Sequence, residues 1–217
     1  MQRPTWLPCG SFGDSVMAFL RFALLLTLLI MTGLPAHGAS GRPRAGIGIL
    51  VLRPFVPERS DELKALPIYA APGIGRLVEM DGTRLPSLVP AVTPLDGERA
   101  VAVLDRRGEW LKIVYDEAGR EGWIRCRRFW DYIPWRDFLA GRIARMLPGL
   151  REALTFMRRE PSDGSASLVR LTADQAFRIV LLRDDWAKVT AGGDTDGWLR
   201  WRDGDGRLLL ALEPPVR

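Results

Sequence analysis

One pattern that occurs twice in the chain determines the predicted fold. It is GEWLKI at Gly108–Ile113 followed by GWI at Gly122–Ile124, and then DDWAKV at Asp184–Val189 followed by GWL at Gly197–Leu199. Each occurrence has Trp, a spacer, Lys and a β-branched residue, then a polar turn, then Gly, Trp and an aliphatic residue. Residues 110–115 alternate between two faces, as a β-strand does. The pattern therefore predicts a β-hairpin that is used twice.

The sequence around each hairpin indicates a small β domain. The first copy is predicted at residues 65–128 and the second at residues 151–213, each with an extended opening segment and further strands. Residues 73–97 are rich in Gly and Pro and are predicted to be a long loop of the first copy. The expected fold class is mainly β, with two small barrels joined by a short helical or irregular segment. The hairpin tryptophans and the glycines before them are predicted to be the structural framework: Trp110, Trp123, Trp186, Trp198, Gly122 and Gly197.

The segments outside the two copies have different compositions. Residues 129–150 contain apolar side chains at helical spacing after Pro134, and Pro148-Gly149 ends the run, so a connecting helix is predicted over 134–147. We expect this helix to pack against both barrels, although its Trp and Phe stripe also suits a membrane or a partner. Residues 40–64 are predicted to be a linker that includes the apolar run Ile47–Leu52, either an edge strand or a packing segment. Residues 214–217 are a Pro-rich tail.

The N-terminal region indicates export. Arg21 is followed by the apolar run Phe22–Leu34 and then by small residues, a pattern typical of a secretory signal peptide over residues 1–39, with Met17 as an alternative start. The alternative is an uncleaved signal anchor, which is the only contact with a membrane that we expect. The predicted location is periplasmic or secreted.

Charge and residue counts exclude most other classes of function. The net charge of +5 comes from arginines interspersed with acidic residues, so nucleic-acid binding is not expected. The chain has two cysteines, Cys9 and Cys126, and one histidine, His37. Once residues 1–39 are removed, no Ser-His-Asp, Cys-His or His-based zinc site can form, so we expect no cofactor, no metal and no enzyme activity. Cys126 is predicted to be a small buried hydrophobe.

The second copy resembles the bacterial SH3-like (SH3b) domain family, and the first copy is similar but more divergent. Leu154–Ser162 holds the place of the family's opening segment, while Asp185–Val189 and Gly197–Leu199 match its Trp-x-Lys-Val and Gly-Trp-aliphatic elements. In the first copy the opening is at Tyr69–Pro72. The resemblance implies tandem SH3-like barrels behind a signal peptide.

This resemblance implies a binding function at an aromatic groove. We predict an exported, non-catalytic protein that recognises peptidoglycan stem peptides or an envelope protein. The alternative is a structural or assembly module of an envelope complex, and a cell-wall hydrolase accessory is a third reading. The candidate ligand-binding residues are the aromatic side chains and arginine pairs outside the repeated pattern: Tyr69, Trp201, Arg106, Arg107, Arg200 and Arg202.

Overall fold

The computed structural model describes residues 42–52, 65–89, 91–92 and 99–213. These residues form two antiparallel sheets of seven strands each, with very little helix, so the predicted mainly β fold with two small β domains is confirmed. The predicted signal peptide at residues 1–39 and the tail at 214–217 lie outside the described residues. No helix among the described residues is long and apolar enough to cross a membrane.

The first sheet, called sheet 1, is built from the first seven strands of the chain. Their bounds are β1 Gly48–Leu52, β2 Leu66–Ala71, β3 Ile74–Met80, β4 Arg99–Arg107, β5 Trp110–Val114, β6 Glu121–Arg125 and β7 Asp131–Pro134. Their order across the sheet is β3-β2-β6-β5-β4-β1-β7. A 3-10 turn at Gly82–Arg84 follows β3, and a short helix, α1, at Trp135–Leu139 follows β7.

The second sheet, called sheet 2, repeats this arrangement. Its strands are β8 Ile143–Met146, β9 Phe156–Arg158, β10 Ser167–Arg170, β11 Ala176–Arg183, β12 Trp186–Ala191, β13 Thr195–Arg200 and β14 Leu210–Leu212, and a 3-10 turn at Glu152–Leu154 precedes β9. Their order is β10-β9-β13-β12-β11-β8-β14. Each strand of sheet 2 therefore occupies the position of its counterpart in sheet 1, and the duplication covers all seven strands.

The two predicted hairpins are present and have the same register. In β5–β6, Trp110 is opposite Arg125 and Lys112 is opposite Trp123. In β12–β13, Trp186 is opposite Arg200 and Lys188 is opposite Trp198. These pairings make Arg125 the counterpart of Arg200.

The lysine of each pattern forms an ion pair with the opposite strand. Lys112 Nζ lies 2.5 Å from Glu121 Oε2, and Lys188 Nζ lies 3.5 Å from Asp196 Oδ2. Cross-strand pairs of this kind contribute roughly 0.2–1 kcal/mol each. The lysine in the pattern is thus part of the hairpin.

Aliphatic side chains form the core of each hairpin. Leu111, Ile113 and Ile124 are fully buried inside sheet 1. A second buried cluster contains the interior of sheet 2 and extends to Ile49 of β1 and to Trp135 of α1. Because burying an aliphatic side chain contributes about 1.5–3 kcal/mol, these clusters dominate the stability of the fold.

The second cluster also joins the two sheets, and backbone hydrogen bonds reinforce the junction. Ala45 N donates to Gly206 O at 2.7 Å, and Leu208 N donates to Pro43 O at 3.0 Å. The described residues from Arg42 onward therefore belong to one compact unit.

The segment predicted to be a linker is partly a strand. Every residue of β1 is buried, and β1 lies between β4 and β7, so Ile47–Leu52 is not an edge strand as one of the two expectations had it. Its residues are apolar without alternation because both faces of this interior strand are covered. Residues 53–64 of the predicted linker lie outside the described residues.

The predicted connecting helix is wrong beyond its first turn. Helix α1 ends at Leu139, Gly141 has a positive φ of 75°, and Ile143–Met146 is strand β8. β8 pairs with β11 on one side and with β14 on the other. These two ladders outweigh the helical spacing of the apolar residues, because that spacing is only a local preference.

The predicted loop at 73–97 is wrong for its first part. Residues Ile74–Met80 form strand β3, and a 3-10 turn follows at Gly82–Arg84. β3 pairs only with β2 at the edge of sheet 1, and nearly all of its residues are exposed, so it lacks the alternation that identifies a half-buried strand. Residue 90 and residues 93–98 lie outside the described residues.

Candidate functional site

A groove of about 890 Å³ lies on sheet 1, where the β2–β3 turn, the β4–β5 turn and the segment after β6 meet. We call it the sheet 1 groove. Its lining combines aromatic and other apolar side chains with three arginines and one glutamate: Leu66, Pro67, Tyr69, Gly73, Glu109, Trp110, Arg125, Cys126, Arg127, Arg128 and Phe129.

Two aromatic rings form one wall of the sheet 1 groove. The Tyr69 and Trp110 ring centroids are 5.3 Å apart with planes at 88°, an edge-to-face arrangement. Gly73 in the β2–β3 turn has a positive φ, and a Cβ there would lie 3.4 Å from the Trp110 ring. The turn thus lies directly beside the indole without adding a side chain. Half-buried rings held in this way offer a rigid apolar surface to a ligand.

Three arginines within four residues form the basic side of the groove. Arg125 donates from Nε and Nη2 to one oxygen of Glu109, at 3.0 and 2.8 Å, and both side chains are largely exposed. Arg127 stacks over the Trp130 ring at 5.7 Å. Arg128 is exposed on the same side. The groove therefore combines an apolar wall with an excess of positive charge.

Cys126 lies in the groove wall and is half-buried. It follows β6 directly, and its backbone N donates to Glu109 O at 2.7 Å. Burial raises the pKa of the Cys126 thiol above its usual range, while the Arg106 charge acts in the opposite direction. A thiol with a raised pKa is mostly protonated at neutral pH, so Cys126 is a weakly reactive lining residue.

The equivalent site on sheet 2 is filled by the protein itself. Arg200 holds the Asp163 carboxylate with two hydrogen bonds, Nε to Oδ1 at 2.9 Å and Nη2 to Oδ2 at 2.5 Å. The Arg200 guanidinium also lies 3.8 Å from Asp185 and 4.6 Å above the Trp186 ring. These hydrogen bonds lower the pKa of Asp163 and raise that of Arg200. Arg200 closes the position that is open beside Trp110.

Two of the predicted site residues are held by contacts within the protein. Trp201 is only 2% exposed, its ring lies 5.6 Å from that of Trp135, and its Nε1 donates to Asp184 O at 2.8 Å. Its expected place in an open groove is therefore wrong, because the ring fills the core between α1 and sheet 2. Arg202 donates to Asp185 at 2.6 Å and to Gly46 O at 3.0 Å.

The remaining predicted residues lie in different places. Arg106 stacks over the Tyr132 ring and Arg107 over the Trp123 ring, each at 4.9 Å, and neither lines the sheet 1 groove. Arg200 occupies the filled site of sheet 2. Of the six candidates, Tyr69 alone is part of the sheet 1 groove.

The hairpin tryptophans have unequal environments. Trp123 and Trp186 are almost fully buried, and Arg107 and Arg200 cover them. Trp110 is half-buried and faces the groove. None of the four hairpin tryptophans belongs to the two buried core clusters of the described chain.

The framework role predicted for the glycines has a geometric basis. A Cβ at Gly122 would lie 2.3 Å from Ile68 Cγ2, and one at Gly197 would lie 2.7 Å from Met157 Cε. Each glycine therefore lets the neighbouring strand approach closely.

The basic side of the groove was not among the predicted site residues. The signal was the run Arg125-Cys126-Arg127-Arg128, three arginines directly after a predicted strand. The repeated pattern predicts the partner strand of Trp110 and so a framework role for this residue. It does not show that Tyr69 lies beside the Trp110 ring. Within the described residues, no group of three His, Cys, Asp or Glu side chains is placed to hold a metal ion.

Comparison with known proteins agrees with the resemblance for the second copy. Residues 151–206 match the family model described as bacterial SH3 domain. The match includes β9–β13 of sheet 2 and covers about a quarter of the chain. No curated protein is significantly similar to the chain.

Proposed function

We propose that this chain is an exported binding protein whose sheet 1 groove takes an extended peptide of the cell wall or of an envelope protein. The match of residues 151–206 to the bacterial SH3 domain carries the first part of this proposal, because such domains are typically binding modules and are commonly related to the cell wall. The open groove beside Tyr69 and Trp110 supports the second part. An extended peptide suits this surface because SH3-like folds bind such peptides in aromatic-lined grooves.

Sedimentation with purified peptidoglycan sacculi tests the wall-binding part. We expect the full-length chain to sediment with sacculi at low salt, and the Tyr69→Ala variant to sediment several-fold less. Arg183→Gln, which changes an exposed arginine of sheet 2, is the matched control and should sediment like the parent chain. Thermal unfolding of each variant separates loss of binding from loss of the fold. No sedimentation of the parent chain would remove the wall as the source of the peptide.

Export is tested separately. The apolar run Phe22–Leu34 after Arg21 supports a signal peptide. Residues 1–41 fused to alkaline phosphatase, an enzyme that is active only outside the cytoplasm, should give an active reporter. Replacing Leu25 and Leu26 with Arg should abolish that activity, because a charged centre does not act as a signal-peptide core. An inactive parent fusion would contradict export.

A second candidate function is an assembly module of an envelope complex. The observation that favours it is β3, which lies at the edge of sheet 1 and exposes Ile74 and Leu77 by 71% and 50%. Exposed apolar side chains on an edge strand suit a partner that adds a strand. Crosslinking in the native envelope should then capture a protein that the Ile74→Asp variant no longer captures. Turnover of peptidoglycan by the pure chain would instead favour the hydrolase reading.

A further inference from the structure

The two sheets place an arginine at the same backbone position beside a tryptophan. Arg125 is opposite Trp110 in sheet 1, and Arg200 is opposite Trp186 in sheet 2. The residue before each tryptophan is acidic, and its carbonyl accepts from the residue after the arginine: Cys126 N to Glu109 O at 2.7 Å and Trp201 N to Asp185 O at 3.1 Å. The two arginines therefore have equivalent strand pairing and equivalent backbone hydrogen bonds beside them.

Among the described residues, the arginine of sheet 2 contacts two carboxylates and the arginine of sheet 1 contacts one. Asp185 and Asp163 both contact Arg200, and the Asp163 carboxylate makes the paired geometry with Nε and Nη2. Glu109 contacts Arg125 through a single oxygen. Among the described residues of sheet 1, no acidic side chain takes the place of Asp163.

Loop length explains this difference. Asp163 is carried by the loop between β9 and β10, which runs from Arg159 to Ala166. The corresponding turn between β2 and β3 consists of Pro72 and Gly73 only, so it brings no side chain to Arg125. The same turn exposes the Trp110 ring, since Gly73 has no Cβ.

We infer that the sheet 1 groove recognises a peptide carboxylate, which binds Arg125 in the way that Asp163 binds Arg200. Arginine suits this role because its planar fork matches the two oxygens of a carboxylate. The residue next to the carboxylate in the ligand packs against Tyr69 and Trp110. Glu109 accepts from Nε and Nη2 of Arg125, the two groups that Asp163 occupies on Arg200, so the ligand carboxylate displaces the exposed Glu109 side chain from them. The exposed Arg128 side chain on the same side of the groove offsets the negative charge of Glu109.

This inference rests on the proposed function, because it names the chemistry that the same groove selects. The carboxylate comes either from an Asp or Glu side chain or from a peptide C-terminus. Both sources present the same two oxygens to Arg125, so the experiment separates them.

Three fluorescent hexapeptide libraries test the inference by polarisation with the full-length chain. The first carries Glu at the third position with both ends blocked, the second carries Gln there with both ends blocked, and the third carries Gln with a free C-terminal carboxylate. All other positions hold mixed uncharged residues. We expect the first or the third library to bind about tenfold more tightly than the second, as a charge-assisted hydrogen bond to a carboxylate implies.

Two variants complete the test. Arg125→Gln should abolish the preference for the carboxylate while Arg183→Gln keeps it, and Arg125→Lys should restore part of it. Equal binding of all three libraries, or a preference that survives in Arg125→Gln, would overturn the inference and leave peptide binding itself intact. If no library binds, the result contradicts both this inference and the proposed peptide-binding function.

Discussion

The two sheets of this protein have the same strand order and the same hairpin registers, yet one presents an open groove and the other a closed site. In sheet 2 the Asp163 carboxylate holds Arg200 over the Trp186 ring. In sheet 1 the exposed Arg125 side chain pairs with Glu109, and the Trp110 ring meets Tyr69 instead. The two sheets share one framework and differ in the turn between their second and third strands, which brings Asp163 to Arg200 in sheet 2 and no acidic side chain to Arg125 in sheet 1.

A second difference lies one residue after the arginine. Sheet 1 has Cys126 there, half-buried in the groove wall, and sheet 2 has Trp201, which fills the core between α1 and the sheet. At this position the sheet matched by the bacterial SH3 domain model is thus the more tightly packed of the two. Sheet 1, which that match does not include, has the open groove.

The largest expected effect is the difference in stability lost when Trp201 and Cys126 are each replaced by alanine. Trp201→Ala should lower the free energy of unfolding by about 3–5 kcal/mol, because it removes a buried ring that packs against Trp135. Cys126→Ala, at the equivalent backbone position, should cost about 1 kcal/mol or less. Urea denaturation of both variants measures the two values. Equal losses would mean that the two positions are packed alike.

The glycines before the second hairpin tryptophans should differ in their tolerance of a methyl group. Gly122→Ala should cost about 1–3 kcal/mol, since its Cβ meets the branched Ile68 side chain at 2.3 Å. Gly197→Ala should cost less, about 1 kcal/mol, because the nearest atom is the end of the flexible Met157 side chain at 2.7 Å. Thermal or urea unfolding of the two variants ranks them. The reverse order would show that Ile68 moves aside more easily than Met157.

The smallest effect concerns the ion pair that closes the sheet 2 site. Asp163→Asn should lower the free energy of unfolding at neutral pH by about 0.2–1 kcal/mol, because the Asp163 side chain is 68% exposed and solvent screens the pair. Glu160→Gln, which removes an exposed charge from the same loop, is the control and should have no comparable effect.

The pH dependence of that effect has a definite sign. Hydrogen bonds from Arg200 hold the pKa of Asp163 below its usual value, so the unfolded chain takes up this proton first as the pH falls. The stabilisation is present above the usual carboxyl pKa of about 3.9 and is lost as the pH falls through the lowered value. The difference between the parent chain and Asp163→Asn should therefore vanish in strong acid. A difference that persists there would assign the effect to packing.

The strands that the sequence predicts correctly can be recognised from the residues within and directly beside each strand. Trp110–Val114 alternates between buried and half-buried residues, and the polar turn and Gly122 mark the return strand, so the hairpins and the mainly β fold follow from the sequence. Strand β8 does not, because Ile143–Met146 has helical spacing and becomes a strand only through its ladders to β11 and β14. Long-range pairing is not visible in a local pattern.

The groove was only partly predictable for the same reason. Tyr69 was selected as an aromatic residue outside the repeated pattern, and the structure places it beside Trp110. The choice between Trp201 as a groove residue and Trp201 as a core residue depends on where α1 packs, which no spacing in the sequence records. The contribution of Arg125 becomes clear only when it is compared with Arg200, because the two differ in their partners and not in their place in the pattern.

The central claim is that ligands bind at Trp110 of sheet 1 while the equivalent Trp186 of sheet 2 stays covered. The most direct test follows the indole N–H resonances of the eight tryptophans during titration of the full-length chain with the end-blocked Glu hexapeptides. Trp110→Phe and Trp186→Phe assign the two resonances. We predict that the Trp110 resonance shifts with saturation and that the Trp186 resonance does not. A shift of the Trp186 resonance, or a ligand-independent Trp110 resonance, would contradict this account.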